Sequence, residues 1–171
     1  MSVRFEARHT DGFSRLGRLT TGHGTVRTPA FLPVVNPNLD LIPPAEMKRD
    51  FGVEILITNS YIVRSTRGLR ERALEEGLHK AIGFDGPVMT DSGTFQSYVY
   101  GDVAVAPDEI VAFQRDIGTD IGTILDVFST PDRSPEEARA DLETTAERAR
   151  AAPAVAASRC LFTTPRKTHS L

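Results

Sequence analysis

Cysteine is almost missing from this sequence. Cys160 is the single one in 171 residues, so the chain cannot close an internal disulfide. With no histidine or second cysteine at ligand spacing around it, the lone thiol builds no metal site. Neither redox chemistry nor a metal held by this chain is expected. Long apolar runs are missing too: no stretch approaches the roughly 20 consecutive apolar residues of a spanning helix, and residues 1–8 lack the apolar run of a signal peptide. The expectation is a cytoplasmic protein without membrane contact. Surplus positive charge is also lacking, since 20 Lys and Arg face 23 Asp and Glu for a net charge of -3. That balance argues against a surface that clamps nucleic acid everywhere, because phosphate binding relies on clustered Lys and Arg.

What remains is ordinary globular material, 40% apolar and 25% charged, enough for one hydrophobic core. A local basic patch is conceivable around Arg64, Arg67, Arg70 and Arg72, but Glu71, Glu75 and Glu76 interleave with them, which favours a solvated helix face.

Along the chain, strand and helix signals alternate. Residues 25–35 read as a strand interrupted by prolines, and 54–63, EILITNSYIV, is a β-branched run next to the turn-former Gly52. Between them 43–51 opens on proline and continues in good helix formers. Residues 67–81 look helical, 87–90 form a short apolar strand, and 107–117 begin with Pro-Asp-Glu, a strong helix opening. Residues 121–128 are a further apolar run. Ser134 and Glu137 then have the spacing of a capping box for a helix reaching about residue 152. Such repetition predicts an α/β fold with a parallel sheet or barrel. An eight-stranded barrel needs about 250 residues, so the expectation is an incomplete (β/α)8 TIM-type barrel, its N-terminal half, over residues 1–152. Residues 153–171, PAVAASRCLFTTPRKTHSL, show no clear period and no obvious next strand. They read as an atypical tail, frameshifted or disordered.

Three polar clusters follow expected strands, where ligands collect in barrels and open α/β sheets. The first is Thr58, Asn59, Ser60 and Tyr61, which could equally be a satisfied buried network. The second is TDSGTFQ, residues 90–96, for which a plain turn competes. The third is Asp126 at the end of GTILD, where a helix cap is the commoner explanation. Together they offer two carboxylates, an aromatic face and amide or hydroxyl groups. A planar base could stack on Phe95 while carboxylates accept hydrogen bonds from ring N–H and amino groups, as guanine presents. Bond cleavage at an anomeric carbon also calls for carboxylates.

In TPAFLPV, EILITNSYIV, GPVMTDSGTFQ and DEIVAFQRDIGTDIGTILDVFSTP the sequence closely resembles the tRNA-guanine transglycosylase family. TDSGTFQ and ITNSYI resemble the archaeal, archaeosine-type members. The resemblance implies a pentosyltransferase that exchanges guanine in the D-loop of archaeal tRNA for 7-cyano-7-deazaguanine by double displacement. Queuosine-type exchange and a non-catalytic remnant or accessory subunit are the alternatives. Asp91 matches the family's active-site aspartate, described either as nucleophile or as acid/base; acid/base is favoured here. Asp126 matches the base-recognising aspartate and Phe95 the stacking aromatic, with Ser92 and Asn59 as supporting hydrogen-bond residues. The partners implied are tRNA, guanine and 7-cyano-7-deazaguanine, with a homodimer in the full-length form. The family's zinc site, Cys-x-Cys-x-x-Cys plus histidine, and its later nucleophilic aspartate are expected beyond residue 152. The surroundings of Cys160, Arg159 and Leu161, do not fit that motif.

Overall fold

The computed structural model describes residues 3–39, 41–96, 105–156 and 161–163. It opens with three strands absent from the sequence reading in this form: β1 (Arg4–Asp11), β2 (Ser14–Thr21) and β3 (Gly24–Thr28), paired antiparallel in the order β1-β2-β3. The expected strand over residues 25–35 is in fact two, because the chain breaks at Pro29 and resumes only at β4 (Val34–Val35). Proline supplies no N–H to a ladder, so it ends β3 rather than interrupting a longer strand.

From β4 onward the architecture is α/β. Helix α1 (Pro44–Phe51) leads to β5 (Leu56–Asn59), α2 (Ser60–Ser65), α3 (Arg67–Glu76) and α4 (Leu78–Ile82). Then come β6 (Val88–Asp91), α5 (Pro107–Asp116), β7 (Ile121–Thr123), α6 (Pro135–Ala156) and β8 (Leu161–Thr163). The five strands β4 to β8 pair parallel and in sequence order, the order in which successive βα units lie side by side.

The apolar run at 54–63 is only partly strand. Asn59 ends β5 by turning its side-chain oxygen onto the N–H of Ile62 at 3.1 Å, and the residues that follow coil into α2. This is N-capping, which satisfies a helix-terminal donor that an extended chain would leave to a neighbour. The expected helix over 67–81 is likewise two helices, α3 and α4, separated at Gly77. After residue 152, α6 continues to Ala156 with Pro153 inside it, and β8 pairs with β7, Ile121 opposite Leu161. The sequence reading gave no strand there, because three residues are too few for any period to show. Cys160 lies outside the described residues.

One face of the parallel sheet carries Leu56 and Val88, fully buried in a core with Val63, Leu69, Leu78, Ile110 and Ile117 from the helices. The other face carries Ile121 and Met89, and there Val26 of the antiparallel sheet packs with Ile55 and Ile121. The antiparallel sheet therefore seals one end of the parallel sheet's second face. Between α5 and the sheet, Gln114 is completely buried and fully engaged. Its amide oxygen accepts from Thr90 at 2.6 Å and from the Thr123 N–H at 3.1 Å, while its amide nitrogen donates to the Thr123 carbonyl at 2.9 Å. A satisfied buried amide of this kind fixes the register of its neighbours, here β6 and β7.

The capping box expected at Ser134 is present in both directions: the Ser134 N–H donates to Glu137 at 2.9 Å and the Glu137 N–H donates to the Ser134 hydroxyl at 3.3 Å. Ser134→Ala is expected to destabilise the chain by about 1 kcal/mol. A urea titration followed by circular dichroism checks this; an unchanged midpoint would mean that the cap contributes nothing to α6.

Candidate active site

Parallel pairing places Asn59 directly beside Asp91 at the carboxyl ends of β5 and β6. The Asn59 amide nitrogen donates to Asp91 Oδ2 at 2.9 Å and to Gln96 Oε1 at 3.0 Å, while its oxygen caps α2. Ser60 adds a hydroxyl donated to the Asp91 backbone carbonyl at 2.7 Å. The strand end is thus held by side chain and backbone alike, with the Asp91 carboxylate only partly buried. A carboxylate anchored by a neutral amide on one oxygen keeps its other oxygen available for proton transfer.

Gly93 makes the turn after Asp91 possible. Its φ is +87°, and a Cβ there would lie 2.4 Å from Tyr61 Cβ and 3.3 Å from Asn59 Oδ1. The turn brings up Ser92, buried, whose hydroxyl lies 3.4 Å from that of Thr94, and Thr94 donates at 3.4 Å to the backbone carbonyl of Asp126. Residues 94–96 begin a helical turn. Phe95, 56% exposed, meets Phe128 edge to face with ring centroids 5.8 Å apart. The loop after β7 is pinned from α6: Arg148 donates to the Leu125 carbonyl at 2.8 Å and Thr145 accepts from the Val127 N–H at 2.9 Å.

Asn59, Asp91, Ser92 and Phe95 therefore gather around one strand end, and Asp126 joins them through its backbone, its side chain exposed. In the first cluster Thr58 and Ser60 are satisfied structural groups, with Thr58 donating to the Val35 carbonyl at 2.8 Å, whereas Asn59 reaches the Asp91 carboxylate. The residues 121–128 are strand only to Thr123, so Asp126 and Phe128 sit in a loop. Gln96, Thr94 and Phe128 complete the cluster but were not singled out. Gln96 was legible within TDSGTFQ; Phe128 had no signal, because its partner is 33 residues away in sequence. An exposed aromatic pair beside a half-buried carboxylate and amide donors suits a flat, hydrogen-bonding ligand.

The arginines of α2 and α3 behave as a solvated face. Arg64 reaches Glu109 at 3.3 Å, Arg67 reaches Glu71 at 3.1 Å, and Arg72 donates to the Ala81 carbonyl at 2.7 Å.

A second polar cluster lies at the amino end of the sheet. Asp120, immediately before β7, is 4% exposed in its side chain. It faces His23 Nδ1 at 3.0 Å and His79 Nε2 at 2.9 Å, and accepts the Val88 N–H at 3.0 Å. Sequence reading had no means of finding it, since His23 is 97 residues from Asp120. The three donor atoms lie within 4.8 Å of one another. The two imidazole rings, however, stack at 3.5 Å with planes only 21° apart, and an ion between near-parallel rings cannot lie in the plane of both, as imidazole coordination requires.

Burial alone would raise the Asp120 pKa, but N–H donors from His79, His23 and Val88 outweigh it and bring it from 3.8 to about 2. The unfolded carboxylate then takes up its proton before the folded one does. The resulting stabilisation, on the order of 2 kcal/mol, is complete above the unfolded value and is lost as pH falls from about 4 through about 2. Urea midpoints measured from pH 5 to pH 2 are expected to fall more steeply for the natural chain than for Asp120→Asn; parallel curves would remove Asp120 from the acid limb.

Comparison with known proteins fits this arrangement. The chain is 55% identical over 152 residues to the tRNA-guanine(15) transglycosylase of Methanosarcina barkeri, a match covering 89% of this chain and 31% of the relative. Against the protein of that name from Haloferax volcanii it is 53% identical over 147 residues, 85% of this chain and 28% of the relative. Against that of Haloarcula marismortui it is 48% identical over 165 residues, 95% of this chain and 34% of the relative. The chain thus spans about a third of the length of these relatives. With a family profile described as queuine tRNA-ribosyltransferase matching residues 11–165, the chain belongs to the tRNA-guanine transglycosylase family.

Proposed function

We propose that this chain is the first part of an archaeosine-type tRNA-guanine transglycosylase, forming the N-terminal half of an incomplete (β/α)8 barrel. The observation that carries this reading is the Asn59 amide clamped between Asp91 and Gln96 at 2.9 and 3.0 Å beside the Phe95–Phe128 pair. The sequential parallel order of β4 to β8 supports the barrel.

In the proposed exchange, a guanine turned out of the tRNA stack lies against Phe95. Asp126 accepts its N–H groups, and Ser92 and Asn59 hold the base and Asp91 in place. The bond between the sugar's anomeric carbon and the base breaks as a carboxylate from outside this chain bonds to that carbon. Asp91 hands a proton to the departing guanine and recovers one from the incoming 7-cyano-7-deazaguanine, whose ring nitrogen then displaces the carboxylate. Protons and charge return to their starting state, so no nucleotide cofactor or electron carrier is required.

A homodimer, a cytoplasmic setting and a structural zinc belong to the same proposal for the longer form. Zinc has no place in the steps above: the sequence offers one cysteine, Cys160, where the family's motif needs three. No described helix is long and apolar enough to cross a membrane.

The test is incorporation of radiolabelled guanine into archaeal tRNA transcript by this chain and by a version extended to the relatives' length. Exchange by the extended version alone is expected. Exchange by neither would favour the non-catalytic remnant, and acceptance of a queuosine precursor in place of 7-cyano-7-deazaguanine would favour the queuosine type. In the extended version Asp126→Asn is expected to lower kcat/KM for guanine by roughly 10²-fold, as loss of a charged acceptor to a bound donor does. An unaltered base preference would take Asp126 out of recognition.

A further inference from the structure

Asp126 lies in the loop beyond β7, its side chain exposed and its carboxylate bonded to no described residue. The backbone around it is nevertheless held at three consecutive residues. The Leu125 carbonyl accepts from Arg148 at 2.8 Å, the Asp126 carbonyl accepts from Arg148 and from Thr94 at 3.4 Å each, and the Val127 N–H donates to the Thr145 hydroxyl at 2.9 Å.

Thr145 and Arg148 stand three apart on α6 and therefore share one of its faces. The helix gives them a firm base, because its Ala149 and Ala152 are buried in the main core. Their bonding is turned outward from the helix. A helical threonine commonly donates its hydroxyl to the carbonyl four residues back, as the neighbouring Thr144 does to Ala140 at 3.0 Å. Thr145 is buried and offers its oxygen to the loop. Arg148 pairs with no carboxylate among the described residues and directs its guanidinium to two successive loop carbonyls.

A backbone fixed on both sides of a residue fixes the direction of its Cα–Cβ bond, which leaves the Asp126 carboxylate only its own side-chain torsions. Such support matters, since a misplacement of about 1 Å at a site can cost roughly 10²-fold. We infer that Thr145 and Arg148 are positioning residues for base recognition, aiming the Asp126 carboxylate by clamping the backbone on either side of it. The inference rests on the base-reading role proposed above for Asp126.

Hydrogen exchange at the Val127 amide of this chain reads the clamp itself. Thr145→Val keeps the shape but removes the acceptor and is expected to speed exchange there about tenfold, with Thr145→Ser restoring it to within about twofold. An unchanged Val127 rate in the valine variant would overturn the inference. In a version extended to the relatives' length, Thr145→Val is expected to raise KM for guanine about tenfold while kcat and tRNA affinity each change less than about threefold, because binding of the base is loosened and the chemical step is not. Arg148→Met, which keeps the apolar stem, should act in the same way and takes the valine's place if the buried substitution prevents folding. A fall in kcat with KM unchanged, or no change in either, would overturn the inference. The double variant separates two kinds of failure. Added to Asp126→Asn, Thr145→Val is expected to cost less than about twofold more, since it acts through a carboxylate already removed. A further loss of about tenfold would overturn the positioning role and leave Asp126 as the base reader. Unaltered guanine exchange in Asp126→Asn alone would instead bring down the base-reading role, and this inference with it.

Discussion

Asp91→Asn in a version of the chain extended to the relatives' length is expected to lower guanine exchange by roughly 10³-fold, within the range that removal of a positioned acid/base produces. The asparagine keeps the shape of the side chain, and its amide can still face Asn59, so tRNA binding measured by filter retention should change by less than about threefold. That split separates a chemical role from a structural one. Asp91 sits in β6 next to Asn59 and receives hydrogen bonds on both its side chain and its backbone carbonyl, so a variant that merely unfolded would lose binding as well. A loss of exchange smaller than about tenfold would remove Asp91 from proton transfer. The same variant addresses its role. A covalent tRNA–protein adduct that still forms, slowly, on a denaturing gel is the signature of a missing acid/base, and its complete absence would instead make Asp91 the nucleophile.

Gly93→Ala is expected to be the most destabilising single change near the site. The residue's φ of +87° strains any L side chain, and the added methyl would meet Tyr61 Cβ at 2.4 Å, backed by a helix that cannot easily retreat. Backbone strain and overpacking together are expected to cost about 3 kcal/mol, lowering Tm by roughly 10 °C in a chain of this size. Gly118→Ala is the matched control, with a similar φ of +77° but nothing within 4 Å of the new Cβ. Its cost should be about 1 kcal/mol, the backbone contribution alone. Similar melting temperatures for the two variants would mean that the Tyr61 contact relaxes freely and that the turn is not tightly packed.

The alternation of strands and helices from β4 to β7 could be read along the chain because each element carries its own period, cap or breaker. The Pro-Asp-Glu opening of α5 and the Ser134–Glu137 box are local chemistry, and both appear where expected. The three antiparallel strands were harder to see. β1 is exposed at nearly every position, so it lacks the apolar alternation that marks a half-buried strand. Boundaries also slipped where a polar residue redirected the backbone, as Asn59 did in turning a β-branched run into a helix. The site divides in the same way. Asp91, Ser92 and Phe95 are close in sequence and read as a motif, while Asn59 became convincing only through pairing across 32 residues. The His23, His79 and Asp120 cluster exists only because the fold brings together residues that nothing in the sequence connects.

Asn59 uses one amide for two purposes, its oxygen closing the first turn of α2 and its nitrogen holding Asp91 and Gln96. Local order and the setting of the Asp91 carboxylate are consequently inseparable at this position. A fluctuation that frays α2 also loosens the anchor on the Asp91 carboxylate. Evolution, for its part, cannot tune the helix start without also retuning the carboxylate. The same linkage makes the Ile62 amide a reporter: its exchange rate would count, molecule by molecule, the fraction of time the site is assembled.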